Sequence, residues 1–253
     1  MRIGVALSGG GARGFAHIGV LEALEARGVE VACVAGTSMG AIVGALWAHG
    51  VPAREIYRLA ERTPWVSLLN FVPRGGLVSG RKLRAFLAEY LPPTFEALER
   101  ELVVVATDLA SGEAVYLTRG TLPTAVLASA AYPGLLAPVE WEGRWLIDGG
   151  VVDNLPVDAA RLLGADRVVA VDVTPGAGLP KGSDPPRSLI GTARRAVDVM
   201  LARLTAVRLA LYPPEVYIRP EIPEVRFEDF GRLEEIVARG REAAEAALGA
   251  YAD

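Results

Sequence analysis

The sequence predicts an α/β domain, a parallel sheet with helices on its faces. Three observations lead there. The runs Ile3–Leu7, Val29–Ala35 and Arg167–Val173 are apolar almost throughout, as strands buried on both faces are. Segments with helical spacing lie between such runs, the rhythm of a parallel sheet. Glycines stand where a strand must turn sharply into the next helix.

Taken in order, Ile3–Leu7 is the first strand, and it ends in glycines. Arg13–Arg27 carries Phe15, Ile18, Leu21 and Leu24 at helical spacing and stops at Gly28. Val29–Ala35 is the second buried strand, Ser38–His49 a helix of small residues, and Pro52 or Ala53 to Arg62 another helix. Trp65–Val78 is apolar without a clean period. An irregular apolar segment suits a lid or groove wall, so it is expected, with the loop 174–187, to border a binding site; a loop covering one end of the core is the plainer alternative. Ser79 is expected to cap a helix running to Leu91. Glu101–Leu109 and Glu113–Arg119 read as strands joined by a Ser111-Gly112 turn, and Thr121–Ala131 as a helix stopping before Pro133. Val139–Trp141 and Arg144–Ile147 form a hairpin about Glu142-Gly143. Leu155–Leu163 is helical and Arg167–Val173 the last fully buried strand. After the Pro/Gly-rich loop come an amphipathic helix, Ser188–Leu211, a short strand, Glu215–Arg219, and a helix over about Phe230–Tyr251. That is too little for a second core. Residues 1–253 are therefore expected to be one domain, with the helices of 188–251 on the same core.

Composition narrows the function. The chain has 253 residues, half of them apolar and 22% charged, with a net charge of −4. This excludes a disordered chain. There is no basic stripe, which speaks against nucleic acid as a partner. One cysteine, Cys33, excludes an intrachain disulfide and a cysteine-based zinc site. Two histidines, His17 and His49, leave little for a histidine-rich metal site. There is no glutamine, and asparagine occurs only at positions 70 and 154. That pattern fits a thermophile or a GC-rich genome equally. No signal peptide and no apolar run of membrane-spanning length is visible, so a cytoplasmic location is expected.

Three glycine-centred sites carry the chemistry. Gly9-Gly10-Gly11-Ala12-Arg13-Gly14 joins a strand to a helix, where backbone N–H groups point outward and favour an anion. Arg13 opposes the helix dipole, which argues against a ligand-free turn. The string also fits a dinucleotide fingerprint, but the second strand ends Val34-Ala35-Gly36-Thr37, without the acid that fingerprint requires. Gly36-Thr37-Ser38-Met39-Gly40 lies in the strand–turn–helix slot of a nucleophile elbow; the plainer reading is Ser38 as a helix cap. A nucleophilic serine needs a base. His49 lies about 16 Å along the same helix and cannot reach. His17, one turn inside the first helix, reads better as a packing histidine. Asp148, before Gly149 and Gly150 at the end of an apolar run, is a candidate base, although Asp-Gly alone also makes an ordinary turn.

At GGGARG (9–14), GTSMG (36–40) and DGG (148–150) the sequence resembles the patatin-like phospholipase family. ASAAYPGLLAPV (128–139) and NLPVDAARLLGADRVVAVDV (154–173) extend the resemblance to about residues 1–175. Ser8 stands where plant members tend to have aspartate. The resemblance implies a Rossmann-like three-layer α/β/α sandwich with a mostly parallel sheet. It implies a serine acyl hydrolase for lipid or other carboxylic esters, with Ser38 as nucleophile and Asp148 as base. Gly9, Gly10 and Gly11 would supply the oxyanion hole, with Arg13 in support. Gly36, Gly40, Gly149 and Gly150 would shape the two turns. It implies no metal or cofactor; the apolar segment Trp65–Val78 could in addition rest transiently on the inner face of a membrane without an anchor. A lipid-sensing module without turnover and a dinucleotide-binding protein are the rival readings.

Overall fold

The computed structural model describes residues 1–68, 79–176, 184–222 and 225–249. In chain order the elements are β1 (Ile3–Leu7), α1 (Ala16–Ala26), β2 (Val31–Thr37), α2 (Met39–Ala48), α3 (Ala53–Arg62) and the single turn α4 (Trp65–Leu68). Then come α5 (Arg81–Tyr90), β3 (Glu101–Asp108), β4 (Ala114–Leu117), α6 (Leu122–Ser129), β5 (Val139–Trp141) and β6 (Arg144–Asp148). The chain continues through α7 (Val157–Leu162), β7 (Arg167–Val171), α8 (Leu189–Leu211), β8 (Val216–Ile218) and α9 (Leu233–Gly249).

In the sheet β1 pairs with β2 and β7, β7 with β8 and β5 with β6, while β3 takes β2, β4 and β6 as partners. β3, β2, β1, β7 and β8 are mutually parallel, and β4, β5 and β6 pair antiparallel. Alternate side chains of the same strands enter two cores, because successive residues point to opposite faces. Val5, Leu7, Val34, Val104 and Val171 join the larger one, under α1, α2, α6 and α9. Ala6, Cys33, Ala35, Val105 and Ala170 join the smaller one, under α7 and Leu209 of α8. This is the three-layer sandwich expected. The small residues on the second face let α7 settle closely. A Cβ on Gly4 would lie 2.8 Å from that of Ala165.

The registers of β3 position the site. Val105 pairs with both Thr37 of β2 and Tyr116 of β4, so β2 and β4 lie on opposite edges of β3. Ala106 pairs with both Val115 of β4 and Asp148 of β6, so β6 lies opposite β4 as well. β2 and β6 therefore share one edge of β3 and meet end to end. β2 stops at Thr37, and Asp148 takes the next position along that edge.

Three local expectations are corrected. Gly80, at φ 64, precedes α5, and Ser79 makes no capping bond. The first turn after β1 is a 3₁₀ turn, Gly11–Phe15, and the α-helix starts at Ala16. Trp65 belongs to the core rather than to a groove or lid. Its ring stacks on Phe230 at 5.7 Å and meets Phe15 edge-on at 5.5 Å, and its indole N–H donates to the Ala60 carbonyl at 2.9 Å. Residues 69–78 of the same segment lie outside the described residues. Trp65→Ala should therefore lower stability by about 3–5 kcal/mol, the range for truncating a buried aromatic. Denaturant unfolding measures it, and an unchanged midpoint would remove Trp65 from the core.

Candidate active site

Both parallel strands that carry the site end in glycine turns. After β1, the Ser8 N–H donates to the Val171 carbonyl at 3.1 Å, and the Ser8 hydroxyl accepts from the Val173 N–H at 2.8 Å. These bonds tie the loop to the end of β7. Gly11 has φ 58, and a Cβ there would lie 2.5 Å from the Phe227 ring. The N–H groups of Gly10 and Gly11 have no acceptor among the described residues. Gly9 departs from the expected trio. Its N–H donates to the Asn154 carbonyl at 3.1 Å, so it is not free to meet an oxyanion. The Arg13 guanidinium donates to the Val225 carbonyl at 2.9 Å and borders the cavity described below.

After β2, Ser38 has φ 54 and ψ −120, a backbone state that non-glycine residues rarely hold. The close approach of α2 forces it. A Cβ on Gly40 would lie 2.2 Å from the Leu7 carbonyl oxygen, and one on Gly36 would lie 2.7 Å from the Ala41 Cα. The Ser38 N–H donates to the Ser129 hydroxyl at 2.8 Å, so the strained turn is held from α6 as well.

Asp148 arrives from the other direction. Its carbonyl accepts from the Thr107 hydroxyl at 2.9 Å, and its N–H donates to the Ala131 carbonyl at 3.0 Å. Gly149 lets the following turn lie across β3, since a Cβ there would sit 2.2 Å from the Val105 carbonyl oxygen. One carboxyl oxygen, Oδ1, accepts from the Gly150 N–H at 2.8 Å, while Oδ2 has no closed hydrogen bond. Burial pushes the pKa up to about 6; the neighbouring Ser38 hydroxyl and the Gly150 N–H favour the ionised form but do not offset it. The Ser38–Asp148 contact is thus looser than a closed hydrogen bond, as resting acid–base pairs often are.

Neither histidine borders this site. His17 is fully buried, its Nε2 is 2.7 Å from the Ser8 carbonyl oxygen, and burial lowers its pKa to about 4. The packing role expected for it is the one it has.

Ser38 and Asp148 open into a cavity of about 640 Å³. Gly10, Arg13, Gly150 and Asn154 form its polar end. α8 contributes much of the rest of the wall, mostly through the apolar Val197, Met200, Leu201, Leu204 and Val207, with Asp198 and Arg203 among them and Tyr132 and Phe227 also lining the cavity. Pro175 borders it too, while residues 177–183 of that loop lie outside the described residues. The α8 wall was not anticipated. Its amphipathic pattern shows that one face is apolar, not what that face covers. Arg208 fastens the helix, with Nε 2.7 Å from the Asp153 carboxylate and Nη2 2.7 Å from that of Asp158. Burial and the Asp158 charge push the Asp153 pKa up to about 7 against the pull of Arg208. No helix among the described residues is long and apolar enough to cross a membrane.

Comparison with known proteins agrees with this architecture. A family model described as patatin-like phospholipase matches residues 5–161. An uncharacterized NTE family protein of Mycobacterium tuberculosis is 37% identical over 184 residues, which is 68% of this chain and 49% of that protein. The lysophospholipase NTE1 of Pyricularia oryzae is 31% identical over 266 residues, 94% of this chain but 18% of that protein. The chain thus spans half or less of the length of these relatives. Among solved structures, VipD from Legionella pneumophila superposes with a TM-score of 0.62 at 17% identity, covering 97% of this chain and 67% of that one. The type III effector ExoU superposes with a TM-score of 0.54 at 16% identity, covering 98% and 52%. At these identities the two structures speak for the fold alone. From the matched model, and from the three glycine turns that the fold gathers around one cavity, the chain belongs to the patatin-like phospholipase family.

Proposed function

We propose that the chain is a serine acyl hydrolase that cleaves a carboxylic ester of a lipid through an acyl-enzyme. The observation that carries this is the meeting of β2 and β6 on one edge of β3, which sets Asp148 beside a serine on a strained turn at the mouth of an apolar cavity. In the first step the Ser38 Oγ attacks the ester carbonyl carbon and Asp148 takes its proton. The tetrahedral oxyanion is met by the Gly10 and Gly11 N–H groups, with Arg13 adding positive potential. Collapse expels the alcohol, which takes the proton back from Asp148. Water, deprotonated by the same carboxylate, then attacks the acyl carbon; collapse breaks its bond to the Ser38 Oγ, which takes the proton back from Asp148 as the acid leaves. A carboxylate with a pKa near 6 is a better base than an ordinary aspartate yet is still ionised at neutral pH. The acyl chain lies along α8, whose apolar residues match it and whose polar neighbours stay near the ester. A peripheral contact with a membrane surface would supply such a substrate.

The test is labelling of the purified protein by a fluorophosphonate, together with hydrolysis of lipid esters of graded chain length. Labelling and turnover support a hydrolase; lipid binding without either leaves the sensing module. Leu204→Trp narrows the cavity at α8 and should lower kcat/KM for long-chain esters by about 10-fold or more while sparing short ones. Equal loss on both would place the chain elsewhere.

A further inference from the structure

Resting on that reading, we propose that Asn154 is a positioning residue that aims the Gly10 N–H at the oxyanion. Asn154 is buried and grips Gly9 at two points. Its backbone carbonyl accepts from the Gly9 N–H at 3.1 Å, and its side-chain Nδ2 donates to the Gly9 carbonyl at 3.3 Å. The Gly9 carbonyl and the Gly10 N–H belong to one planar trans peptide unit, in which they point in opposite directions. Holding the oxygen therefore directs the N–H, and Gly10 faces the cavity.

The neighbouring unit needs no such holder. Gly10 precedes the 3₁₀ turn Gly11–Phe15, and the carbonyl at that position accepts the first bond of the turn. The turn thus fixes the plane that carries the Gly11 N–H. The plane carrying the Gly10 N–H lies between two glycines, whose backbones rotate with little steric hindrance. Without Asn154 it is free to turn over.

Chemistry and fit explain why asparagine stands here. The Gly9 carbonyl only accepts, so a nitrogen has to face it. The same Nδ2 donates to the Thr174 hydroxyl at 2.8 Å, beyond the end of β7. A Cβ on Gly9 would lie 2.6 Å from the Asn154 Oδ1, and one on Gly150 would lie 2.7 Å from it. The amide is thus wedged between the loop after β1 and the turn after Asp148. It sets the donor in register with the base. A hydrogen bond on the carbonyl side also polarises the peptide and strengthens its N–H as a donor.

The test compares wild type with Asn154→Leu and Asn154→Asp, which keep the size and the backbone bond but remove the donor. Three quantities are read: steady-state kinetics on a short-chain ester, affinity for a trifluoromethyl ketone that adds to the serine, and melting temperature. Both variants should lower kcat by about 10–100-fold with KM within about 2-fold, less than the loss of an entire oxyanion donor. Ketone affinity should fall by the same factor as kcat/KM, since the adduct has the transition-state oxyanion. A purely structural residue would shift melting and leave the ketone-to-KM ratio of the folded protein unchanged, and that result overturns the proposal. If neither variant folds, Thr174→Val loosens the same amide and should lower kcat by about 3-fold, with the ratio again decisive. Wild type that takes no fluorophosphonate at Ser38 would remove the hydrolase reading itself. Wild type that is labelled, beside variants with unchanged kcat, would remove only the role of Asn154.

Discussion

Ser38→Ala is expected to abolish fluorophosphonate labelling and to lower ester hydrolysis by about 10⁵–10⁶-fold, as loss of a nucleophile that works with its base does elsewhere. The fold should survive, because the side chain caps nothing in α2. The strained backbone offers a second readout. At φ 54 and ψ −120 a Cβ is unfavourable whatever the side chain beyond it. Ser38→Gly should be equally inert, yet more stable than Ser38→Ala by about 1 kcal/mol, the strain relieved less the added freedom of the unfolded chain. Denaturant melts of the two inert variants give the number directly. A glycine variant that melts earlier would mean that the turn is not strained in solution. An alanine variant that still turns over would move the chemistry to another residue.

Asp148→Asn is expected to lower kcat by about 10⁴-fold, the loss seen when a catalytic carboxylate is made an amide. The same change should not lower stability at neutral pH. The amide oxygen still accepts from the Gly150 N–H, and the nitrogen replaces an oxygen that has no closed bond. The direction of the pH effect follows from the proton count. Asp148 titrates near 6 when folded and near 3.8 when unfolded, so between those values the folded state holds the extra proton. Stability then falls as pH rises from about 4 to about 6 and stays lowered above that. Asparagine removes this loss, which is about 3 kcal/mol at most. Wild type and variant should therefore converge in stability near pH 4 and differ most above pH 6, with asparagine the more stable. In wild type kcat/KM should rise about tenfold per pH unit below 6 and then level off, as the base ionises. A variant that melts well below wild type at pH 8 would mean that the carboxylate is not desolvated. A flat activity profile between pH 5 and 7 would take the base role from it.

Much of this could be read from the chain alone, for reasons that differ by element. β1, β2 and β7 are buried on both faces, so their apolar runs are unbroken and visible. The serine turn and the loop after β1 announce themselves because only glycine fits the close approaches at Gly36, Gly40 and Gly11. The meeting of Asp148 with Ser38 is a different matter. It depends on β6 pairing antiparallel with the edge of β3 that β2 has vacated, and no local pattern encodes which edge a strand will take. Trp65 could be read as groove wall or as core cover because α4 is a single turn, too short to display a helical period. α8 was legible as an amphipathic helix but not as a cavity wall. Asn154 was hidden because its side-chain bonds go to the Gly9 carbonyl and the Thr174 hydroxyl, partners that no local pattern around it announces.

The shared edge of β3 also bears on how the chain acquires its chemistry. Ser38 and Asp148 are 110 residues apart in the sequence. Their encounter requires β3 to be in place first, then the excursion through β4, α6 and β5, and finally the return of β6 against the far end of β2. Closing so long a loop is slow, because its entropy is lost before the contacts are gained. Without β6 on the edge of β3, the serine turn has no carboxylate beside it. The pairing of serine and carboxylate is thus a property of the completed sheet, set by the last antiparallel strand rather than by the glycine turns that advertise it.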